Sequence, residues 1–272
     1  MNEAARKAWN EWSDDYFYKS WYVGDFAADM ETIKREPMRA FPRDVREMLG
    51  AAMPKLRGRR VLVPSSGDNL AVFGFHLLGA KVTSTDIAEN QLTNAMKIAD
   101  ANGWRDIEFR QADSMTLDGV SDGEFDLVYT SNGAHVWISD LAMMYCAFWR
   151  VLKPGGAYIF FETHPFHRPF NERTYEEDKF VRFIKPYTST HLDNEPPEYH
   201  WRVQDFMQAL LNARFTLTDY RDMQPYDEDL SNYALDDKSK RNWEVYPFAA
   251  LPSWLGVSAR KDCIEDLMRE NL

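Results

Sequence analysis

Between Val61 and Asp86 the chain changes character four times in quick succession. Val61-Leu62-Val63 runs into Pro64-Ser65-Ser66-Gly67-Asp68-Asn69, an apolar stretch spans Leu70 to Leu78, and Val82-Thr83-Ser84-Thr85 ends at Asp86. Short β-branched runs on either side of a longer apolar segment read as strand, tight loop, helix and second strand. Gly79 suits the left-handed end of that helix. Small residues let the backbone of the first loop approach a ligand closely, and an acid at the end of the next strand can accept both hydroxyls of a ribose. This is half of a nucleoside-binding α/β unit. Each piece also has a plainer use: any strand-to-helix turn favours small residues, Asn69 can cap the helix behind it, and Asp86 can cap the helix beginning near Glu89.

The alternation continues from about residue 59 to 163, which predicts a mostly parallel sheet covered by helices on both faces. Strands are expected at Arg60 to Pro64, Lys81 to Thr85, Ile107 to Arg110, Phe125 to Thr130 and Ala157 to Glu162. Helical stripes are carried by Leu92, Ala95, Met96 and Ala99, and by Leu141, Tyr145, Phe148 and Leu152, the latter stopped by Lys153-Pro154-Gly155-Gly156. Val203, Phe206, Met207, Leu210 and Leu211 restore a helix, followed by strands at Phe215 to Tyr220 and Leu255 to Ala259. The expected fold is therefore α/β, a Rossmann-like sheet of seven strands. Residues 1 to 55, rich in Trp and Tyr, form an N-terminal helical cap, and residues 56 to 272 form the main domain. Two embellishments interrupt it: a Pro-rich, charged insertion at about 164 to 200 and an acidic, aromatic loop at about 222 to 250.

Charge and composition remove several function classes. A formal charge of −11 gives no general attraction for phosphodiester backbones, so nucleic acid is not an expected partner. No run of about 18 apolar residues is present, and the first residues lack a secretory apolar region. The two cysteines, Cys146 and Cys263, lie far apart and read as reduced thiols. A cytoplasmic protein without membrane contact, monomeric or homodimeric, is expected.

Further along, Asp113-Ser114-Met115 follows the third strand, where an acid and a hydroxyl can meet an adenine amino group while Met115 packs on the ring; a surface turn is the alternative. Together with Phe125-Asp126-Leu127-Val128-Tyr129 and the run Phe148-Trp149-Arg150-Val151-Leu152-Lys153-Pro154-Gly155-Gly156, these segments resemble the class I S-adenosylmethionine-dependent methyltransferases of the small-molecule type. The resemblance covers about residues 59 to 163 and implies S-adenosyl-L-methionine as cofactor, with S-adenosyl-L-homocysteine as product. By that analogy Ser65, Ser66, Gly67, Asp68 and Asn69 surround the methionine portion, and Asp86, with Ile87 and Gln91 beyond it, receives the ribose. Asp113, Ser114 and Met115 lie at the adenine, and Ser131 and Asn132 beneath the sulfonium. The chain departs from the family's first motif, with Val63 in place of its acid, Ser65 of its first glycine and Asn69 of its last; Asp68 or a serine hydroxyl is expected to take over contacts to the ammonium group. The dinucleotide fingerprint Gly-x-Gly-x-x-Gly is missing after the first strand, which counts against an oxidoreductase.

Ligands of open α/β sheets lie beyond the carboxyl ends of the strands. That places His135 and Trp137, after strand four, and His164 and His167, after strand five, at the acceptor side. His135 and His164 are the candidate bases for an acceptor that must lose a proton, with substrate positioning or packing as their other use. Trp12, Tyr16, Trp21, Trp137 and His167 are candidate substrate or lid residues, since rings exclude water. Pro165 disrupts a helical pairing of His164 with His167 and a third ligand is lacking, so no metal is expected. The reading is methyl transfer to a small organic molecule, with a cofactor-binding protein lacking turnover as the leading alternative.

Overall fold

A computed structural model describes residues 2–18, 26–67, 69–170, 175–177, 179–226, 229–230 and 238–262, leaving aside the side chains of 15–18, 26 and 238–239. Tyr16 as a side chain, and Trp21, Asp68 and Cys263 altogether, lie outside the described residues.

The alternation of apolar residues along the central strands builds two cores, one on each face of the sheet. In β1 (Arg60–Pro64), Val61 and Val63 join one cluster and Leu62 the other. The same division recurs in β4 (Phe125–Thr130), with Leu127 and Tyr129 opposite Phe125 and Val128, and in β5 (Leu152–Thr163), with Ile159 and Phe161 opposite Tyr158 and Phe160. Successive side chains of a strand point to opposite faces, so a sheet covered on both sides needs apolar residues at every position.

With β2 (Lys81–Asp86), β3 (Glu108–Gln111), β8 (Phe215–Met223) and β9 (Trp254–Lys261), these strands form a seven-stranded sheet in the order β3-β2-β1-β4-β5-β9-β8. Pairing is parallel from β3 through β5, while β9 runs antiparallel between β5 and β8. A separate hairpin of β6 (His191–Leu192) and β7 (Glu198–Tyr199) lies in the insertion after β5. The strand order reverses between β1 and β4, and the loops leaving those two strands diverge there, opening a crevice.

Among the described residues the helices of eight residues or more are α1 (Glu3–Tyr18), α2 (Phe26–Arg35), α3 (Arg43–Ala52), α4 (Leu70–Leu77), α5 (Glu89–Ala101), α6 (Leu141–Val151) and α7 (Val203–Asn212). Residues from α2, α3, α4 and α5 fill one core and residues from α6 and α7 the other. Two expectations are corrected. The fifth strand begins at Leu152 rather than Ala157, because the Lys-Pro-Gly-Gly turn is taken up in its irregular start, where the register against β4 shifts. The boundary expected near residue 55 does not separate two packing units: Met30, Ile33, Val45 and Met48 are buried in the same core as Val61 and Phe73, and α1 alone of the described N-terminal helices reaches the crevice.

Candidate active site

The loop after β1 keeps a backbone shape that normally calls for glycine. Ser65 and Gly67 both have positive φ, 47° and 46°. The left-handed region costs an L-residue roughly 1–2 kcal/mol, and Ser65 is held there by its hydroxyl, 2.7 Å from that of Ser114. Ser66 is anchored beneath the loop, its Oγ 2.6 Å from Ser84 Oγ and its N–H donating to the Thr85 carbonyl. Asn69 caps α4 by accepting from the Ala71 amide at 2.9 Å, and its own amide group donates to Ser131 Oγ, tying the β1 loop to the β4 loop.

Asp86 faces the loop. Its Oδ2 accepts the Gly67 N–H at 3.0 Å and its Oδ1 the Ala88 N–H at 2.9 Å. This acid thus closes the turn into α5 and also borders the crevice. A carboxylate offers about four lone-pair sites, so holding two amides is compatible with accepting hydroxyls. Asp113 behaves similarly, with Oδ1 accepting from the Met115 N–H at 2.9 Å and Oδ2 from the Asn2 N–H at 3.2 Å.

These residues line a cavity of about 370 Å³ beyond the carboxyl ends of the strands, within the range of roughly 300–1,000 Å³ usual for small-ligand sites. Ser65, Ser66, Gly67, Asn69, Asp86, Ile87, Gln91, Asp113, Ser114, Met115, Ser131, Asn132 and Trp137 all border it. Asn2, Ala5, Trp9, Leu70, Gly133, Ala134 and Ile138 border it as well and were not anticipated. The cavity is closed above by α1, which is fastened to α5 by polar contacts: Arg6 and Asn10 on Glu89, Asn10 on the Asn90 N–H, and Asn94 on the Ser13 carbonyl. Trp9, Trp12 and Trp137 cluster with centroid separations of 5.5 to 5.8 Å. Trp9 and Trp137 border the cavity, whereas Trp12, 41% exposed, packs on both without bordering it.

Neither candidate base borders the cavity. His135 is 1% exposed, packed against Phe160 and Phe206. Its Nδ1 lies 3.3 Å from Glu162 Oε2 and its Nε2 3.2 Å from the Tyr158 hydroxyl, which also meets Thr130 Oγ1 at 2.9 Å. A ring enclosed on both nitrogens reaches no reactant in this conformation. His164 is fully buried; its Nδ1 accepts the Phe166 N–H at 3.2 Å, so its Nε2–H donates to Asp222 at 3.1 Å. Burial holds its pKa below the ordinary imidazole value despite the opposing effect of Asp222. It fastens the insertion to β8. His167, half-buried, stacks on Phe248 away from the cavity.

Sequence reasoning missed Glu162. Buried at 2% exposure, it accepts the Gly133 N–H on both oxygens at 2.9 and 3.0 Å, the Thr163 N–H at 2.8 Å and the His135 N–H at 3.2 Å. Burial pushes its pKa up, but the hydrogen bonds from His135 and the charge of Arg168 outweigh this and hold it below the usual carboxylate value. Its signal in the sequence is an acid closing an otherwise apolar strand. The β4 loop that floors the cavity is thus held by a charge at the end of β5.

Residues 63–160 match the sequence family described as a methyltransferase domain. No curated protein matches the chain. Among solved structures, an S-adenosylmethionine-dependent methyltransferase from Mesorhizobium loti superposes with a TM-score of 0.61 at 22% identity, over 79% of this chain and 96% of that one. A geranyl diphosphate C-methyltransferase from Streptomyces coelicolor, solved with Mg2+, geranyl diphosphate and S-adenosyl-L-homocysteine, gives 0.51 at 10% identity over 80% and 79%. The [4+2]-cyclase SpnF gives 0.52 at 17% identity over 79% of each chain.

Proposed function

We propose that this chain, a class I S-adenosylmethionine-dependent methyltransferase, acts on a small organic acceptor that enters the crevice beside the β4 loop. The observation that carries the reading is the convergence on one cavity of the left-handed β1 loop, Asp86, Asp113-Ser114-Met115 and Ser131-Asn132. Asp86 would take the ribose hydroxyls, Asp113 and Ser114 the adenine edge with Met115 against the ring, and Ser65 to Gly67 with Asn69, Ser131 and Asn132 the methionine portion. When bound, S-adenosyl-L-methionine supplies an electrophilic methyl group on a sulfonium and leaves as S-adenosyl-L-homocysteine. The protein's part is to align the acceptor, since orientation contributes much of the rate of an in-line displacement, while Trp9 and Trp137 keep water out.

Among the described lining residues Asp86 and Asp113 alone carry titratable side chains, and both are occupied by backbone amides. This favours an acceptor that arrives already nucleophilic over one needing a histidine base. A cofactor-binding protein without turnover is the second reading, favoured by the same absence of a base. Isothermal titration with S-adenosyl-L-methionine and S-adenosyl-L-homocysteine, followed by a labelled-methyl screen of amines, thiols, phenols and carbon acids, tests both. Binding with transfer is expected; binding with no transfer supports the second reading, and no binding removes both. We also infer a cytoplasmic location, no nucleic-acid partner, and a monomer or homodimer.

A further inference from the structure

The insertion after β5 folds back so that two cations, Arg168 and Lys185, and the imidazole of His200 come within electrostatic reach of one another. Arg168 lies in the turn that follows β5. The Ile184 N–H donates to the Pro169 carbonyl at 2.8 Å, bringing Lys185 alongside that turn, and the His200 N–H donates to the Thr190 carbonyl at 2.8 Å, next to the Ser189 carbonyl that holds the Lys185 ammonium. Two acids accompany them: Glu162 Oε1 lies 3.7 Å from the Arg168 guanidinium, and Glu198 Oε2 lies 3.2 Å from His200 Nε2.

The polar valences in this cluster are incompletely used. Among the described residues no side-chain hydrogen bond is made by the Arg168 guanidinium, which is 24% exposed and whose contact with Glu162 is too long for one. The His200 ring is 9% exposed, and its Nδ1 is buried without a partner. Lys185 uses its ammonium on the Ser189 carbonyl at 2.7 Å. Burial and the charges of Arg168 and Lys185 push His200 down to about 4, and burial followed by the charge of Arg168 lowers Lys185. Two cations, offset by Glu162 and Glu198, thus share a partly dry place with a neutral imidazole, and it is their unused hydrogen-bonding groups that an oxyanion would satisfy.

None of the three side chains lines the cavity, but two links join the cluster to residues that do. Arg168 reaches the cavity wall through Glu162, which holds Gly133, and His200 reaches it through its neighbour Trp201, whose indole N–H donates to the Ile138 carbonyl at 3.0 Å. Resting on the methyltransferase reading above, we propose that Arg168, Lys185 and His200 form a receptor for an oxyanion, a carboxylate or phosphoryl group, carried by the methyl acceptor. Arg168 offers a planar fork suited to two oxygens, Lys185 a point charge, and His200 a ring nitrogen that becomes a donor on protonation.

Inorganic phosphate and acetate, titrated calorimetrically into the full chain at an ionic strength held constant with sodium chloride, test the receptor. Saturable binding of at least one is expected, phosphate alone identifying a phosphoryl group and acetate alone a carboxylate. Arg168→Gln and Lys185→Gln should each weaken it at least tenfold while S-adenosyl-L-homocysteine affinity stays within about twofold. Lys185→Gln, at a half-exposed position, keeps the test valid if Arg168→Gln does not fold. No saturable binding, or binding that the folded variants retain, overturns the receptor. Phosphate or acetate binding in a chain that does not bind S-adenosyl-L-homocysteine leaves the receptor standing and removes the methyltransferase reading instead. For the acceptor, matched amino acids and their amides are offered with labelled cofactor: acids should be methylated at least tenfold faster, and equal rates overturn the link between this receptor and the acceptor.

Discussion

Replacing Glu162 by Gln tests whether a buried charge holds the floor of the cavity. Each oxygen of this carboxylate serves more than one donor: Oε1 takes Gly133 and Thr163, and Oε2 takes Gly133, the His135 N–H and the His135 ring. An amide has a single accepting oxygen, so whichever way the shortened set of acceptors settles, the new NH2 faces an N–H of Thr163 or His135 and leaves that group unpaired. A buried unpaired donor costs about 1–3 kcal/mol, and losing the ionised acceptor weakens the surviving bonds by a similar order. Relief of the desolvation of a buried charge returns part of this. The net is a loss of about 2–4 kcal/mol, or a fall in Tm on the order of 5–10 °C for a chain of this size. Urea and thermal denaturation of wild type and variant give the difference directly. It has a pH signature as well. Because Glu162 is held below its ordinary value in the folded state, its contribution is complete at neutral pH and is lost as pH falls through that depressed value. The gap between wild type and the Glu162→Gln variant should therefore be full at pH 7, begin to narrow as pH falls through the ordinary carboxylate value, and close only below the depressed one. A loss smaller than about 1 kcal/mol at pH 7, or a gap indifferent to acid, refutes the reasoning.

Asp86→Ala should weaken S-adenosyl-L-homocysteine binding by about 1–3 kcal/mol, with Asp86→Asn in between; calorimetry showing unchanged affinity in both removes Asp86 from the cofactor site. His135→Ala should destabilise the fold by about 2–4 kcal/mol, as loss of a large buried side chain does, yet leave the shape of the pH–rate profile unaltered; disappearance of a limb near neutrality would restore it as a base. Gly67→Ala forces a side chain into a backbone at φ 46° with its Cβ 2.6 Å from Gln91 Oε1, and should lose about 1–2 kcal/mol of stability together with cofactor affinity, read by denaturation and calorimetry.

Much of this could be read from residue order alone. The sheet strands, their apolar faces and the acid at the end of β2 are local: strand periodicity and turn residues act over a few positions. The cofactor-side candidates among the described residues border the cavity for the same reason, since a loop leaving a parallel strand at the switch point has little choice of direction. The acceptor side was less legible. His135 and Trp137 sit two residues apart, yet one is sealed beside Glu162 and Tyr158 and the other faces the cavity. Trp9 and Trp12 share a helical face, but the docking of α1 on α5 through Arg6, Asn10 and Asn94 turns Trp9 inward and leaves Trp12 behind it.

Residue order, then, determined which segments are strands and helices, their layering, and the β1–Asp86 half of the site, because those depend on neighbours within a turn or two. Only the tertiary structure decided the burial of His135 and His164, the anchoring of the β4 loop by Glu162, and the fold-back that sets Lys185 beside the turn carrying Arg168. Those outcomes follow from contacts between segments remote in sequence, where the direction a side chain takes is set by which surface its element packs against.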